Sequence, residues 1–476
     1  MKTTSRRSFI ASSAISGLAG AAALAATQAG CAVLPKERMS PLDGVKREKI
    51  KITDVKLTNL AYRLKPEEEW ADGNDNIIIY KTEAVIVEVF TDVGIKGIGG
   101  CSRYNGAAAM KEYLEKVIKP ALIGKNPFDV EYLAGGITGG GARGAWAGAD
   151  TALWDIIGKA KGLPLYKLLA TNTEPQTRVR AYASGGEFSW HKGSKFPGPE
   201  DLVKQALGHK AAGYTAFKFR PGGGFERFAS IKEYVPYLRE MRKAVGPNFD
   251  LIQESNEGWS VGECLEIAPV LEELKILWWE GPTRKIIDDY LTIKKALRTV
   301  KLSGGESVHS RAGLVEWMDT GAYDIVQPGC DDAGVTECWY QAQMAHIRGK
   351  PICPHSWQGD LVAVANAHLL AAVPNRFMLE DNMTPNPLKE GLFKEWFGVK
   401  DGYFTVPEKP GLGVELKEGL AELYPPIPGY WNMPDPDMPA APTKARSGPL
   451  APGWGEVTDD WPSRPGQVAT AGSRGG

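Results

Sequence analysis

The phrases Phe249-Asp250-Leu251-Ile252-Gln253-Glu254, Ile276-Leu277-Trp278-Trp279-Glu280 and Val300-Lys301-Leu302-Ser303-Gly304-Gly305-Glu306 are three short apolar runs, each closed by a glutamate, with the glutamates 26 and 26 residues apart. Short apolar runs bounded by turn residues read as buried strands, and the amphipathic stretches between them read as helices. Working outward, similar runs occupy 179–184 and 216–219 before these three, and 325–327, 352–354 and 377–380 after them. Eight strands alternating with helices predict a parallel (β/α)-barrel. Asp331, His355 and Glu380 continue the series of strand-end polar residues at spacings of 25, 24 and 25. In such a barrel the C-terminal strand ends converge on one mouth, where polar side chains serve chemistry. Any one of these six could be a solvated loop charge, but six in register are hard to explain that way.

The residue types suggest a particular reaction. Glu254, Glu280 and Glu306 would bring hard oxygen donors from three successive strands to one point, which suits Mg²⁺ and suits zinc or copper poorly. Three close carboxylates without a cation would repel one another, and some would stay protonated. In Ala216-Phe217-Lys218-Phe219-Arg220, Lys218 and Arg220 share one strand face and the two phenylalanines share the other. That alternation turns Lys218 into the mouth beside a permanent positive charge, which is expected to lower its pKa and make it a usable base. An ordinary surface strand would instead leave both phenylalanines in water. His355, in Cys353-Pro354-His355-Ser356-Trp357, is the expected partner acid or base from the seventh strand. A lone histidine in an apolar run is more often a satisfied core residue, but the barrel register favours the functional reading for His355; His346 and His368 fall on helical stretches and are read as structural.

Elsewhere the sequence narrows the options. A net charge of −1 gives no electrostatic footprint for nucleic acid. The six cysteines show no C-x-x-C pair, so neither a zinc site nor a disulfide framework is expected. Ser5-Arg6-Arg7-Ser8-Phe9-Ile10 followed by a small-residue apolar run resembles a twin-arginine export signal, placing a signal peptide at 1–31 and the protein in the periplasm. The run is too weakly apolar for a membrane span, and lipid anchoring at Cys31 is the lesser alternative. A linker at 32–48 would lead to an α+β capping domain at 49–175, with strands first and then helices near 107–122 and 145–160. The barrel would occupy 176–405 and a returning segment 406–430. The Pro/Gly-rich stretch 431–476 reads as an extended or disordered tail without chemistry.

These segments resemble the mandelate racemase and muconate lactonizing enzyme branch of the enolase superfamily over roughly 49–424. The resemblance rests on Gly94-Ile95-Lys96-Gly97-Ile98-Gly99, Ile123-Gly124-Lys125-Asn126-Pro127 and Asp150-Thr151-Ala152-Leu153-Trp154-Asp155 in the cap. In the barrel it rests on Lys218-x-Arg220, Asn256-Glu257-Gly258-Trp259, Glu280-Gly281-Pro282, Gly305-Glu306, Val326-Gln327-Pro328 and Pro354-His355. It implies a modified (β/α)7β barrel with an N-terminal cap, a Mg²⁺ site on Glu254, Glu280 and Glu306, and Lys218 as base. It further implies His355 as acid/base, Glu380 as a hydrogen-bonding partner of a substrate carboxylate, and a homo-oligomer. A capping loop at 65–76, with Trp70 and Asp72, would close over the mouth. Asn256, Arg103 and Trp357 are further candidate substrate contacts, with Trp190 and His309 beside them.

Three departures bear on the reaction. Glu254 replaces the usual Asp. Gly281 replaces a frequent second Glu, with little predictable consequence. Gly329 stands where an Asp usually orients the histidine, so Asp331 or Asp332 would have to serve. A histidine with a weaker partner is better suited to act as an acid than as a matched base. The expected activity is therefore dehydration of an acid sugar, a small-molecule carboxylate, with racemisation or epimerisation as the alternative and an inactive exported binding protein as the alternative of another class. Cycloisomerisation would want a lysine after the sixth strand, and none is present.

Overall fold

The β-branched run that begins at Ile52 pairs with the next apolar run to start an antiparallel sheet. In the computed structural model, which describes residues 38–72, 77–102, 107–135, 143–186, 188–189, 200–220, 230–308, 310–357, 361–428 and 432–434, the strands Ile52–Arg63, Lys81–Thr91 and Lys96–Cys101 form this sheet in sequence order. The helix Arg143–Lys161 lies across it. Contact is close because Gly97 and Gly99 have no side chain. A Cβ at either would sit 2.1 Å from the Ala152 carbonyl oxygen or 2.0 Å from that of Gly148. The helix expected near 107–122 is continuous in outline but passes through a π-helical turn at Leu114–Ile118.

The barrel strands are Arg178–Ser184, Ala216–Phe219, Asp250–Glu254, Trp278–Glu280, Lys301–Gly304, Ile325–Val326, a bridge at Ile352, and Leu379–Asn382. The first six are parallel neighbours, Ile352 bridges to Val326 and Arg376, and Leu379–Asn382 pairs back on Ala181–Ser184, which closes the ring. Several strands are shorter than their apolar runs suggest. Alternation along them supplies two cores. Tyr182, Ala216, Ile252, Trp278, Ile325, Cys353 and Met378 fill the barrel interior. Phe217 and Phe219 belong to the larger core outside the barrel wall, as their alternation with Lys218 requires.

The motif Asp150–Asp155 holds the parts together. Asp150 accepts from the Thr336 amide (2.9 Å) and hydroxyl (2.5 Å) at the start of the barrel helix Gly334–His346. Trp154 donates to the same hydroxyl at 2.8 Å. Asp155 accepts from the Ile98 amide in the cap sheet and from the Leu412 amide in the returning C-terminal segment. That segment also reaches the cap where the Ala61 amide donates to the Tyr424 carbonyl.

One expectation is refined here. The stretch 65–76 is not a plain loop: a 3-10 turn, Pro66–Glu68, leads into strand Trp70–Asp72, which pairs antiparallel with Ile77–Ile79. Residues 435–476 lie outside the described residues; within the stretch read as an extended or disordered tail, Asn432–Pro434 is extended and pairs antiparallel with Ile77–Ile79. With Phe188–Ser189, from just after the first barrel strand, these form a four-stranded sheet. All described residues fall within one compact unit, Ala32–Gly476. The twin-arginine motif lies outside the described residues. Among the described residues, no helix is long and apolar enough to cross a membrane.

Candidate active site

Each residue of the barrel plug has a polar residue two positions further along, on the same strand face. Tyr182 leads to Ser184, Ala216 to Lys218, Ile252 to Glu254, Trp278 to Glu280, Ile325 to Gln327, Cys353 to His355 and Met378 to Glu380. The two-residue period of a strand thus stacks a polar layer directly on an apolar one. Lys218 sits at the middle of it, fully buried, with its Nζ 2.7 Å from Glu280, 3.0 Å from Glu380 and 3.3 Å from Glu254.

Every carboxylate around the lysine has further donors. Glu280 Oε2 accepts from Gln327 Nε2 at 2.6 Å and from the Trp278 indole at 3.2 Å. Glu254 Oε1 accepts from the Asn256 amide at 3.0 Å. Glu380 accepts from the Ser184 hydroxyl at 2.6 Å and the Ser356 amide at 2.7 Å. Glu254 and Glu280 are register partners on adjacent strands. Burial and the neighbouring Glu280 charge push Glu254 well above the carboxylate range. Burial also pushes Glu280 upward, but Lys218 and its hydrogen bonds outweigh that and hold it low. Two like charges this close in a buried site oppose each other's ionisation, and Lys218 favours it.

The lysine itself departs from the sequence-based expectation. Burial, the largest effect, lowers its pKa, but Glu280, Glu380 and Glu254 together raise it above the usual value. Arg220 does lower it, as expected, but is the smallest of the influences. The expectation considered only the neighbour along the strand, whereas three carboxylates reach Lys218 across strands.

His355 is partly exposed and faces two carboxylates without hydrogen-bonding either. Its Nε2 is 3.6 Å from Glu306 and its Nδ1 is 3.9 Å from Asp331, both beyond hydrogen-bond range. Burial lowers its pKa, but Glu306, Glu380 and Asp331 together raise it. Asp331 is buried and shifted to about 7, mainly by that burial, with His355 acting in the opposite sense. Asn366 joins the two loops that carry this pair. It accepts from the Cys330 amide at 3.1 Å and donates to the His355 carbonyl at 2.8 Å.

Above this layer lies an aromatic wall. The Arg220 guanidinium sits 4.2 Å from the Trp357 ring centroid and donates to the Gly185 carbonyl at 3.0 Å. Trp357 meets Trp70 of the capping hairpin edge to face at 6.4 Å. Asn256 stands two residues past Glu254 at φ 45°, with a buried Oδ1 that meets no hydrogen-bond partner among the described residues. Arg103 lies outside the described residues, as do Trp190, His191 and His309. His368 is structural, as read from sequence: its ring accepts from the Tyr166 amide and donates to the Leu412 carbonyl. His209 is half-buried against Tyr214 and Phe217, and that partial burial lowers its pKa to about 4.

The proposed metal ligands are brought together in part. Glu254 and Glu280 abut, whereas Glu306 lies beside His355. Among the described residues, no three His, Cys, Asp or Glu side chains gather as a metal cluster. The fifth-strand residue in register with Glu280 is Ser303, so Glu306 is off the inward alternation and follows Gly305, whose backbone turns at φ 111°. Even so, two buried carboxylates in register on adjacent strands form a hard-oxygen site that a divalent cation fits. Sequence reasoning missed Ser184, Gln327 and Asn366. The first two could have been found by counting two residues on from Tyr182 and Ile325.

Residues 201–420 match the enolase C-terminal domain-like family, and residues 78–170 match the mandelate racemase/muconate lactonizing enzyme N-terminal domain. The chain belongs to the mandelate racemase/muconate lactonizing enzyme family of the enolase superfamily. Within this family it is 30% identical over 385 residues to an arabinonate dehydratase of Saccharolobus solfataricus, covering 78% of this chain and 99% of that protein. It is 29% identical over 406 residues to a D-galactarolactone cycloisomerase of Agrobacterium fabrum, covering 81% and 100%. A solved enolase-superfamily member from Polaromonas sp. JS666 superposes with a TM-score of 0.69 at 30% identity, covering 80% of this chain and 98% of that one. The family match spans both the cap helix Arg143–Lys161 and the barrel layer that carries Lys218, Glu254, Glu280, His355 and Glu380.

Proposed function

We propose that this chain is a Mg²⁺-dependent acid-sugar dehydratase. The observation that carries the reading is the polar layer itself: an amine on the second strand ringed by Glu254, Glu280 and Glu380, and an imidazole on the seventh beside Glu306 and Asp331. The likeness to an arabinonate dehydratase supports it, and the family typically works with Mg²⁺. Glu254 and Glu280 would hold the cation, with Glu306 the next carboxylate around the barrel. When bound, it would offset the second negative charge that grows on the substrate carboxylate as the neighbouring C–H ionises.

The chain's own groups account for the proton transfers. Lys218 Nζ takes the proton from the carbon α to the carboxylate, which requires the amine uncharged. Its three carboxylate neighbours oppose that state, so any positive charge shared by Glu254 and Glu280 favours the base. His355 is held toward its charged form by Glu306, Glu380 and Asp331, which suits an acid. It gives its proton to the departing β-hydroxyl, releasing water, and the resulting enol tautomerises to a 2-keto acid. Racemisation would instead need His355 as a second base, against the direction of its pKa.

The test is a panel of sugar acids and their lactones with Mg²⁺, read by 2-keto acid formation. Lys218→Ala and His355→Ala are each expected to lose about 10²–10⁴-fold in turnover while remaining folded. Wild-type turnover in Lys218→Ala would remove the lysine from the mechanism. Exchange of the α-hydrogen in D₂O without a keto product would point to epimerisation, and lactone consumption to a cycloisomerase like the Agrobacterium relative. Export is a separate proposal that rests on Arg6 and Arg7. It predicts that Arg6→Lys/Arg7→Lys retains the protein in the cytoplasmic fraction.

A further inference from the structure

The capping hairpin has no free edge. In the four-stranded sheet, Trp70–Asp72 pairs with Phe188–Ser189 on one side and Ile77–Ile79 pairs with Asn432–Pro434 on the other. One edge therefore belongs to the barrel and the other to the far C-terminal end of the chain. The route of that end is fixed step by step. Tyr424 lies edge to face with Tyr62 at 6.5 Å, and its carbonyl accepts from the Ala61 amide at 3.2 Å. Three residues on, the Ile427 carbonyl accepts from Lys81 Nζ at 2.6 Å. Lys81 is fully buried, also pairs with Glu83, and follows the hairpin by two residues. A buried ammonium is costly unless its donors are used, so Ile427 is held where the hairpin rejoins the cap sheet. Next comes the strand Asn432–Pro434. The hairpin in turn packs Trp70 and Ile79 with Leu64 and Trp357, and Trp357 carries Arg220 on its face above Lys218.

We propose that two described parts of the C-terminal region, 424–428 and Asn432–Pro434, act as a strap that holds the capping hairpin against the barrel mouth through the pairing of Asn432–Pro434 with Ile77–Ile79. A two-stranded hairpin alone is marginal in water, and adding paired edges is what makes such a sheet persist. Opening the mouth by lifting the hairpin must break the pairing with the strap, the pairing with Phe188–Ser189, or both. The strap thereby sets how often the layer around Lys218 meets solvent, and it does so from sequence whose composition gives no hint of structure.

Hydrogen exchange without substrate tests this independently of the dehydratase reading. Three variants are compared with the full chain: Met433→Pro, a chain ending at Pro428, and a chain ending at Ala440. Pro434 already lacks an N–H, so Met433→Pro leaves Asn432 as the strand's one donor. Exchange in the peptide covering Ile77–Ile79 is expected to quicken at least about tenfold in Met433→Pro and in the chain ending at Pro428, and to stay as in the full chain when the end is at Ala440. Unchanged exchange in the first two overturns the proposal. Equal acceleration in the chain ending at Ala440 overturns it as well, because residues beyond the strand would then be holding the hairpin. If the shortest chain does not fold, the full-length Met433→Pro variant decides.

Discussion

A side chain at position 329 would have nowhere to go, because a Cβ there would lie 2.3 Å from Asp331 Oδ1 and 3.1 Å from the His355 carbonyl oxygen. The carboxylate that approaches the imidazole comes from two residues along, folded back into the space that a residue at 329 would use. Gly329→Asp alone should therefore cost stability, about 1–3 kcal/mol as for other overpacked sites, while Gly329→Asp/Asp331→Ala should recover most of it. Denaturant unfolding of the two single variants and the double checks this, and additive losses would show that the two positions do not compete. The departure at Gly329 and the candidacy of Asp331 were legible in the sequence, because both are residue types at counted positions. Its return into that space was not, since it depends on how the loop after the sixth strand folds. Gly281 makes the same point. At φ 50°, a Cβ there would come 2.9 Å from Glu254 Oε1, so an exchange that looks inconsequential in sequence keeps a carboxylate in place.

Among the elements, the helix Gly334–His346 begins directly after the Asp331 loop, and its first turn is completed by the cap. Asp150 satisfies the Thr336 amide, one of the donors a helix N-terminus leaves open, from a different domain. Burial raises the Asp150 pKa to about 7, against an ordinary value of 3.8. The native state then keeps a proton that the unfolded chain has lost between those values. That contribution is fully present below 3.8 and falls away as pH rises toward 7, at up to about 1.4 kcal/mol per pH unit. Asp150→Asn cannot ionise, so the wild type's stability advantage over it should shrink from pH 5 to pH 7.5; thermal midpoints across that range would refute this by staying parallel. Helix Arg143–Lys161 was legible because its apolar period is long, and the barrel strands were legible because each ends on a polar residue. Asn432–Pro434 was not, because three residues in a Pro/Gly-rich stretch carry no period and their partner lies at Ile77–Ile79.

For the whole molecule, the buried polar layer is a liability in the fold: one amine and three carboxylates lie at the centre of the barrel, each with a desolvation cost. Breaking such a cluster leaves charge unpaired, while supplying a further cation relieves it. A divalent ion that binds only the native state stabilises it by mass action, by about 2.7 kcal/mol at a hundredfold excess over Kd. Mg²⁺ should therefore raise the thermal midpoint of the wild type in a concentration-dependent way, and EDTA should reverse the rise. Glu254→Gln and Glu280→Gln each remove half of the abutting pair and should lose most of the Mg²⁺ response, whatever they do to baseline stability. Glu306→Gln discriminates further. If Glu306 turns toward the cation it loses response too; if it acts only through His355, the midpoint shift survives and the pH dependence of turnover moves instead. A midpoint indifferent to Mg²⁺ in the wild type, at fixed scan rate, would leave the cluster to its own cationic side chains, Lys218 first, and would end the metal reading.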